Sequence, residues 1–263
     1  YSSQNRFDFL VISDKNLYSY VQHYISKLSK PSSLSIYVHL ANTNHHVYEE
    51  NNMTPSYIKL HLFDWPLVFD YSSALFIDAD IIIPPHFDFC HFVENQACCL
   101  EKLEDGCLYA MSEFQDKNMH RIHYFDLHDY TDDEIDAFER DGVYAFNAGL
   151  FSFKINDKSM QMLNDIRDMI HKTPDPRLFF YEQSFMNVYL NRKHKARYNL
   201  ITHDHCALFV RPESEFEAKL LHFCGEASDG VTKDEFMQAF CKRHWHELIE
   251  HISNNGMDHT NDL

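Results

Sequence analysis

The sequence predicts an α/β protein with a parallel sheet and covering helices, in one large domain or two tightly fused halves, and three observations carry that prediction. A β-branched and aromatic run at 7–13 ("FDFLVIS"), apolar residues at helical spacing over 16–28 and a second strand-like run at 34–40 ("LSIYVHL") give strand, helix, strand with short links. That order suits a right-handed βαβ unit with parallel strands. Further on, "SALFIDADIII" (73–83) has the continuous apolar character of a strand covered on both faces. Finally, 263 residues of which 44% are hydrophobic suffice for one substantial core.

The remaining elements follow in order. Lys30 and Pro31 stop the first helix, a helical segment around 56–63 ("SYIKLHLF") leads into the apolar strand, and Pro84 and Pro85 end that strand. Residues 101–141 are dense in Asp and Glu and read as a solvated helical insertion, in which "TDDE" (131–134) ahead of Ile135 and Phe138 is a capping box. "VYAFNAGLFSF" (143–153) is strand-like around a small-residue break. A helix near 157–171 places Met160, Leu163, Ile166 and Ile170 on one face, and another spans roughly 179–192. "KLLHFCG" (219–225) is a short strand and turn, and "TKDEF" (232–236) caps a terminal helix carrying Phe236, Phe240, Trp245 and Leu248.

Composition excludes some classes of function. A formal charge of -17 with 19 histidines argues against a binder of phosphate backbones, which needs a basic face, so nucleic acid is not an expected partner. An acidic protein that handles an anionic ligand needs a local cation cluster or a bound metal. The seven cysteines are an odd number without paired-knuckle spacing and read mainly as reduced, buried thiols. A zinc cluster from Cys90, His91, Cys98 and Cys99 is the alternative, weakened because adjacent cysteines do not easily face one tetrahedral ion. No apolar run reaches the roughly 18–20 residues a bilayer span requires, and no signal-like start is present. These features and the cysteine count favour the cytoplasm. The chain starts at Tyr1, however, and removal of an anchor or targeting segment is compatible with it.

The chemistry concentrates at Asp78 and Asp80. In an extended strand residues i and i+2 share a face, so the two carboxylates point the same way and repel one another unless a cation sits between them. Oxygen ligands select Mg²⁺ or Mn²⁺, ions that keep open positions for water and substrate phosphate. The competing account is that the acids cap a following turn or pair with Lys and Arg.

Five blocks share an order and spacing: "KLHLF" (59–63), "ALFIDADIII" (74–83), "FNAGLFSF" (146–153), "EQSFMNVYL" (182–190) and "LLHFCG" (220–225). Together they resemble the glycogenin-like sugar transferases, glycosyltransferase family 8, over about Tyr57 to Gly225. The resemblance implies an α/β fold of GT-A type, a Rossmann-like mixed sheet flanked by helices in a single domain, with a UDP-sugar donor, Mn²⁺ (or Mg²⁺), and transfer of a hexose to an acceptor hydroxyl of a glycan or protein with retention at the anomeric carbon. The single domain is then read as a nucleotide-binding half (about 1–100), an acidic insertion (101–142), a sugar and acceptor half (143–225) and a C-terminal helical segment (226–263), of which the insertion and the tail match no block of the family.

Carried over by position, Asp78 and Asp80, with Ala79 between them, match the family's D-x-D, and His222 matches the histidine that completes the metal site. Lys59 matches a lysine expected near the donor phosphates, and Asn147 and Gly149 match the segment bordering the transferred sugar. Glu182 and Gln183 match a D-Q pair in which Glu stands where Asp is usual. Val11, Ser13 and Tyr18 sit where uracil and ribose are received, and Gly225 closes the H-x-x-G. The family's next lysine, three residues on, is replaced by Ser228. Lys233 and the basic stretch 191–198 are the remaining local cations, the latter read as a solvated helix end. Two other readings stand beside this one: a catalytically silent sugar-nucleotide or glycan-binding module, and a haloacid-dehalogenase-type phosphatase using the first Asp as nucleophile.

Overall fold

A computed structural model describes residues 7–28, 34–41, 57–84, 87–113, 131–173, 182–208, 210, 219–224 and 231–244. Strand β1 (Asp8–Ser13), helix α1 (Tyr18–Lys27) and β2 (Ser35–Leu40) form the expected unit, with β1 and β2 paired in parallel from Asp8↔Ser35 to Ser13↔Leu40. Asp14 starts α1 by accepting the backbone N–H groups of Asn16 and Leu17 at 2.7 and 3.0 Å. The expected helical segment at 56–63 is a 3-10 helix, Ile58–Asp64.

The apolar run at 73–83 is two strands rather than one. β3 (Ser73–Ile77) ends before Asp78, the chain turns through Asp78–Asp80, and β4 (Ile81–Ile82) continues in a different sheet. β3 heads a four-stranded sheet of order β3-β6-β5-β7, and β4 heads a three-stranded sheet of order β4-β9-β8. The other strands are β5 (Leu108–Ser112), β6 (Phe146–Lys154), β7 (Ala196–Arg197), β8 (Cys206–Leu208) and β9 (Leu220–His222). Both sheets are mixed: β3, β6 and β5 run antiparallel in turn while β5 and β7 are parallel, and β4 is antiparallel to β9 while β8 is parallel to it.

The helices α2 (Phe89–Phe92), α3 (Asp132–Arg140), α4 (Asp157–Lys172), α5 (Glu182–Arg192) and α6 (Lys233–His244) complete the set, with α4 and α5 on the larger sheet and α6 on the smaller one. Side-chain alternation along β3 shows its two faces. Ala74 and Phe76 join Phe151, Phe153, Leu163, Ile166, Phe185 and Met186 in a core against α4 and α5. Leu75 and Ile77 join Ile81, Met111, Leu150, Cys206 and Leu220 in a core against the smaller sheet.

Three expectations need correction. Residues 101–141 are not simply a solvated insertion, because β5 lies inside them, four of its five residues buried at the centre of the four-stranded sheet. The capping box there does form, with Thr131 N–H donating to Glu134 and Glu134 N–H to the Thr131 hydroxyl at 3.0 and 3.3 Å. The break at 147–149 is a register shift inside a continuous strand. Ala110 faces Phe151 and Ser112 faces Phe146, so five steps along β6 are matched by two along β5. On α4 the buried face carries Met162 with Leu163, Ile166 and Ile170, while Met160 is half-buried.

All the cysteines are free thiols, though only Cys107 and Cys206 are buried and Cys90 is exposed. Among the described residues no helix is long and apolar enough to cross a membrane. Trp245 and Leu248 lie outside the described residues.

Candidate metal and sugar-nucleotide site

The turn between the two sheets builds the site. Asp78 N–H donates to the Gly149 carbonyl at 2.8 Å, Ile81 N–H to the Asp78 carbonyl at 3.0 Å, and Phe223 N–H to the Asp80 carbonyl at 3.0 Å. Because β4 pairs with β9 in the register Ile81↔His222, a histidine over 140 positions away in sequence is set beside Asp80. One ligand atom from each of Asp78, Asp80 and His222 lies within 4.8 Å of the others. Asp78 and Asp80 are thus brought together by a turn and not by a shared strand face, and both are partly exposed rather than buried.

Each carboxylate also has an ammonium partner. Lys59, 4% exposed, is held by Asp78 at 3.2 Å, Glu182 at 2.8 Å and the Ala148 carbonyl at 2.9 Å, with its Nζ 4.8 Å from the Phe76 ring centroid. An ammonium has three hydrogens, and these three acceptors take them all. The position expected beside donor phosphates is therefore an internal counter-ion. Burial disfavours its charge, but Glu182 and then Asp78 outweigh burial and keep Lys59 protonated, its pKa raised. Burial lifts the Glu182 carboxyl above the usual range against the pull of Lys59.

On the other side, Asp80 Oδ1 lies 3.2 Å from His222 Nε2, and Oδ2 accepts from Lys233 at 2.9 Å. Burial opposes the Asp80 charge, yet His222 and Lys233 prevail and hold its pKa down to about 2. His222 packs so closely on β6 that a Cβ at Gly149 would lie 2.3 Å from its Cε1 and 2.8 Å from Nε2. The glycine is needed for space beside the histidine, since no side chain fits there.

A polar cluster adjoins the ion cluster. Gln183 accepts the Ala148 N–H at 2.8 Å and Asn147 accepts the Gly149 N–H at 2.9 Å, so the register shift in β6 is bound by both amides. Their NH₂ groups face one carboxylate, Glu113, at 3.2 Å from Gln183 and 3.5 Å from Asn147. Asn187, one turn along α5, clamps Phe146 by donating to its carbonyl at 3.0 Å and accepting its N–H at 2.9 Å. Sequence reasoning missed Glu113 and Asn187. The signal for Glu113 was the short apolar run "LYAM" ahead of it, obscured by its acidic surroundings.

The structure therefore gathers Asp78, Asp80, His222, Lys59, Glu182, Gln183, Asn147 and Gly149, with Ala79 exposed at the tip of the turn. Val11 and Ser13 lie on β1, which packs against the 3-10 helix carrying Lys59, and Tyr18 opens α1. Ser13 Oγ donates to the Asp14 carbonyl at 3.2 Å, and the Tyr18 hydroxyl accepts from Gln22 at 2.8 Å. Gly225 and Ser228 lie outside the described residues. The basic stretch 191–198 is a solvated helix end only over Arg192, Lys193 and His194, because Ala196 and Arg197 form β7 beside β5 and Arg197 pairs with Glu104 at 2.8 Å. Among the described residues Cys90, His91, Cys98 and Cys99 form no metal-holding group.

Two carboxylates and an imidazole at this spacing fit a divalent cation with oxygen preference. A surplus of charge agrees, since among the described residues the three carboxylates of Asp78, Asp80 and Glu182 face the two ammonium groups of Lys59 and Lys233. No family model matches the chain, and no curated protein matches it. Among solved structures the chain is similar to a glycosyltransferase involved in the glycosylation of the major capsid of PBCV-1, at 13% identity over 89% of this chain and 98% of that one, with a TM-score of 0.48. It is similar also to the galactosyltransferase LgtC, solved in complex with donor and acceptor sugar analogs, at 12% identity over 89% of this chain and 95% of that one, with a TM-score of 0.49. Likeness of this degree assigns neither family nor activity, and the chemistry has to be read from the residues themselves.

Proposed function

We propose that the chain is a metal-dependent glycosyltransferase of GT-A type that moves a hexose from a UDP-sugar to an acceptor hydroxyl of a glycan or protein, with retention. The observation that carries this reading is the convergence of Asp78, Asp80 and His222 beside the amides of Asn147 and Gln183. Asp78, Asp80 and His222 hold Mn²⁺ or Mg²⁺, which when bound supplies Lewis-acid stabilisation of the charge on the departing diphosphate.

The protein's own groups do the rest. Glu113 and the β6 backbone fix the Asn147 and Gln183 amides, and amides so fixed present directed donors and acceptors to sugar hydroxyls without reorganising. Glu182 is committed to Lys59, and a carboxylate in a close ion pair is a poor nucleophile. Its place in the site is to set Lys59, and through it Asp78, which favours attack by the acceptor on the leaving-group face over a covalent intermediate on Glu182. The uracil and ribose contacts fall to Val11, Ser13 and Tyr18.

The test is a screen of UDP-sugars with Mn²⁺ for UDP release, run with Asp80→Asn alongside. Metal-dependent release that the variant loses, by about a hundredfold or more, is expected. Tight Mn²⁺ and UDP binding without release from any donor would assign the chain to the silent binding modules instead.

A further inference from the structure

The two lysines at the site are not equivalent. Lys59 has a side chain 3% exposed and is fixed by three acceptors. Lys233 has a side chain 38% exposed, its Nζ has Asp80 as its acceptor, and it lies toward solvent from a carboxylate that is 21% exposed. Lys233 is also the first residue of α6. A cation is disfavoured in the first helical turn, where the backbone N–H groups concentrate positive potential, so Asp80 is what holds it there. The helix is brought to Asp80 by two devices. Thr232 and Glu235 form a capping box that fixes the helix start, with Thr232 N–H donating to Glu235 at 2.9 Å and Glu235 N–H to the Thr232 hydroxyl at 3.3 Å. Phe236 and Phe240 pack edge-on against Phe223, the residue after His222, at 5.4 and 5.0 Å between ring centroids.

Oδ2 of Asp80 accepts from Lys233, while Oδ1 lies 3.2 Å from His222 Nε2 without a hydrogen bond among the described residues. A divalent ion held by Asp78, Asp80 and His222 puts a second cation on the carboxylate that Lys233 already neutralises. A ligating carboxylate can keep a donor on its other oxygen, but the ion and the ammonium repel across it, and this weakens the hold on Lys233. We propose that Lys233 is a built-in counter-ion that satisfies Asp80 in the metal-free site and is displaced when a divalent cation binds. Lys233 thereby sets the metal affinity from the C-terminal helix. This rests on the metal reading of Asp78, Asp80 and His222.

The experiment measures Mn²⁺ affinity by electron paramagnetic resonance, and in parallel the rate at which an amine-acylating reagent labels Lys233, read by peptide mass spectrometry. Lys233→Met keeps the length of the side chain and removes the competitor, so it should bind Mn²⁺ about tenfold tighter than the parent. Lys233→Arg should stay at the parental affinity. Lys242→Met, the same charge change at an exposed position of α6, should also stay there, which separates displacement from a general change of potential. Labelling of Lys233 in the parent should rise on addition of Mn²⁺, and in Asp80→Asn it should be high with or without the ion. If Lys233→Met binds Mn²⁺ no tighter than Lys242→Met, or labelling does not respond to the ion, the counter-ion role is overturned while the metal site stands. If Asp80→Asn binds Mn²⁺ as well as the parent does, the metal reading falls and the role of Lys233 with it.

Discussion

Lys59 carries more structural consequence than any other single residue of the site, because it neutralises carboxylates from two different elements at a position closed to water. Substituting Lys59→Met leaves Glu182 buried without its counter-ion, and removing one partner of a buried pair costs about 3–5 kcal/mol. The double substitution Lys59→Met with Glu182→Leu removes the stranded charge and should recover most of that loss. Urea unfolding of the two variants tests this, and a double variant no more stable than the single one would show that Lys59 acts through something other than Glu182. At this scale the sequence was informative where chemistry repeats a pattern and silent where a contact depends on the fold. Asp78, Asp80 and His222 were legible as a set because a D-x-D and a distant H-x-x-G were in order. Lys59 was legible as a site residue but not in its role, because nothing in "KLHLF" reveals that all three hydrogens are taken by protein acceptors. Glu113 looked like one acid among many, and only the pairing of β5 with β6 makes it the group that orients two amides.

At the scale of elements, local signals predicted well and long-range ones less so. The capping boxes at Thr131 and Thr232 and the βαβ unit follow from short-range spacing and formed, and so did α4, with Met162 where Met160 was expected on its buried face. β5 was missed because a five-residue strand between acidic flanks offers too little periodicity to outweigh composition. The division of 73–83 into β3 and β4 was missed because both strands are apolar and the switch of sheet is made only in three dimensions. The capping box of α6 gives a testable pH dependence. The Glu235 carboxyl is held below its ordinary value by the Thr232 N–H and hydroxyl. A depressed folded-state pKa contributes stability above the unfolded value of about 4.3 and loses it as pH falls through the folded value. The helix start should therefore fray below about pH 4 in the parent. The difference in far-ultraviolet circular dichroism between parent and Glu235→Gln, followed from pH 6 to 3, should shrink to zero at the acid end. A difference that stays constant across that range would remove Glu235 from the cap.

For the molecule as a whole, the important feature is that the D-x-D turn is where the chain leaves one sheet for the other. Asp78 hydrogen-bonds to β6 of the larger sheet, while Asp80 and His222 belong to the smaller one through Phe223 and the β4-β9 pairing. The sequence could indicate that one large domain with a mixed sheet was present. It could not show that two sheets meet at the ligand residues, because that depends on which strands pair and not on any run of residues. An ion held by Asp78, Asp80 and His222 joins the two sheets, so it binds only when both are folded against each other, and binding to the native state alone stabilises by mass action. At a free Mn²⁺ concentration one hundred times the dissociation constant the gain is about 2.7 kcal/mol. For a chain of this size that raises the melting temperature by about 5–10 °C. The formal charge of -17 adds a general attraction for cations, which added salt screens while the local contribution of the site persists. The thermal shift is therefore measured at about 0.15 M salt, where the Debye length is about 8 Å. Under those conditions the parent should show the full rise and Asp80→Asn none. An equal rise in both would mean that Mn²⁺ is bound by diffuse surface charge, and the junction between the sheets would then be a structural joint with no ion to hold.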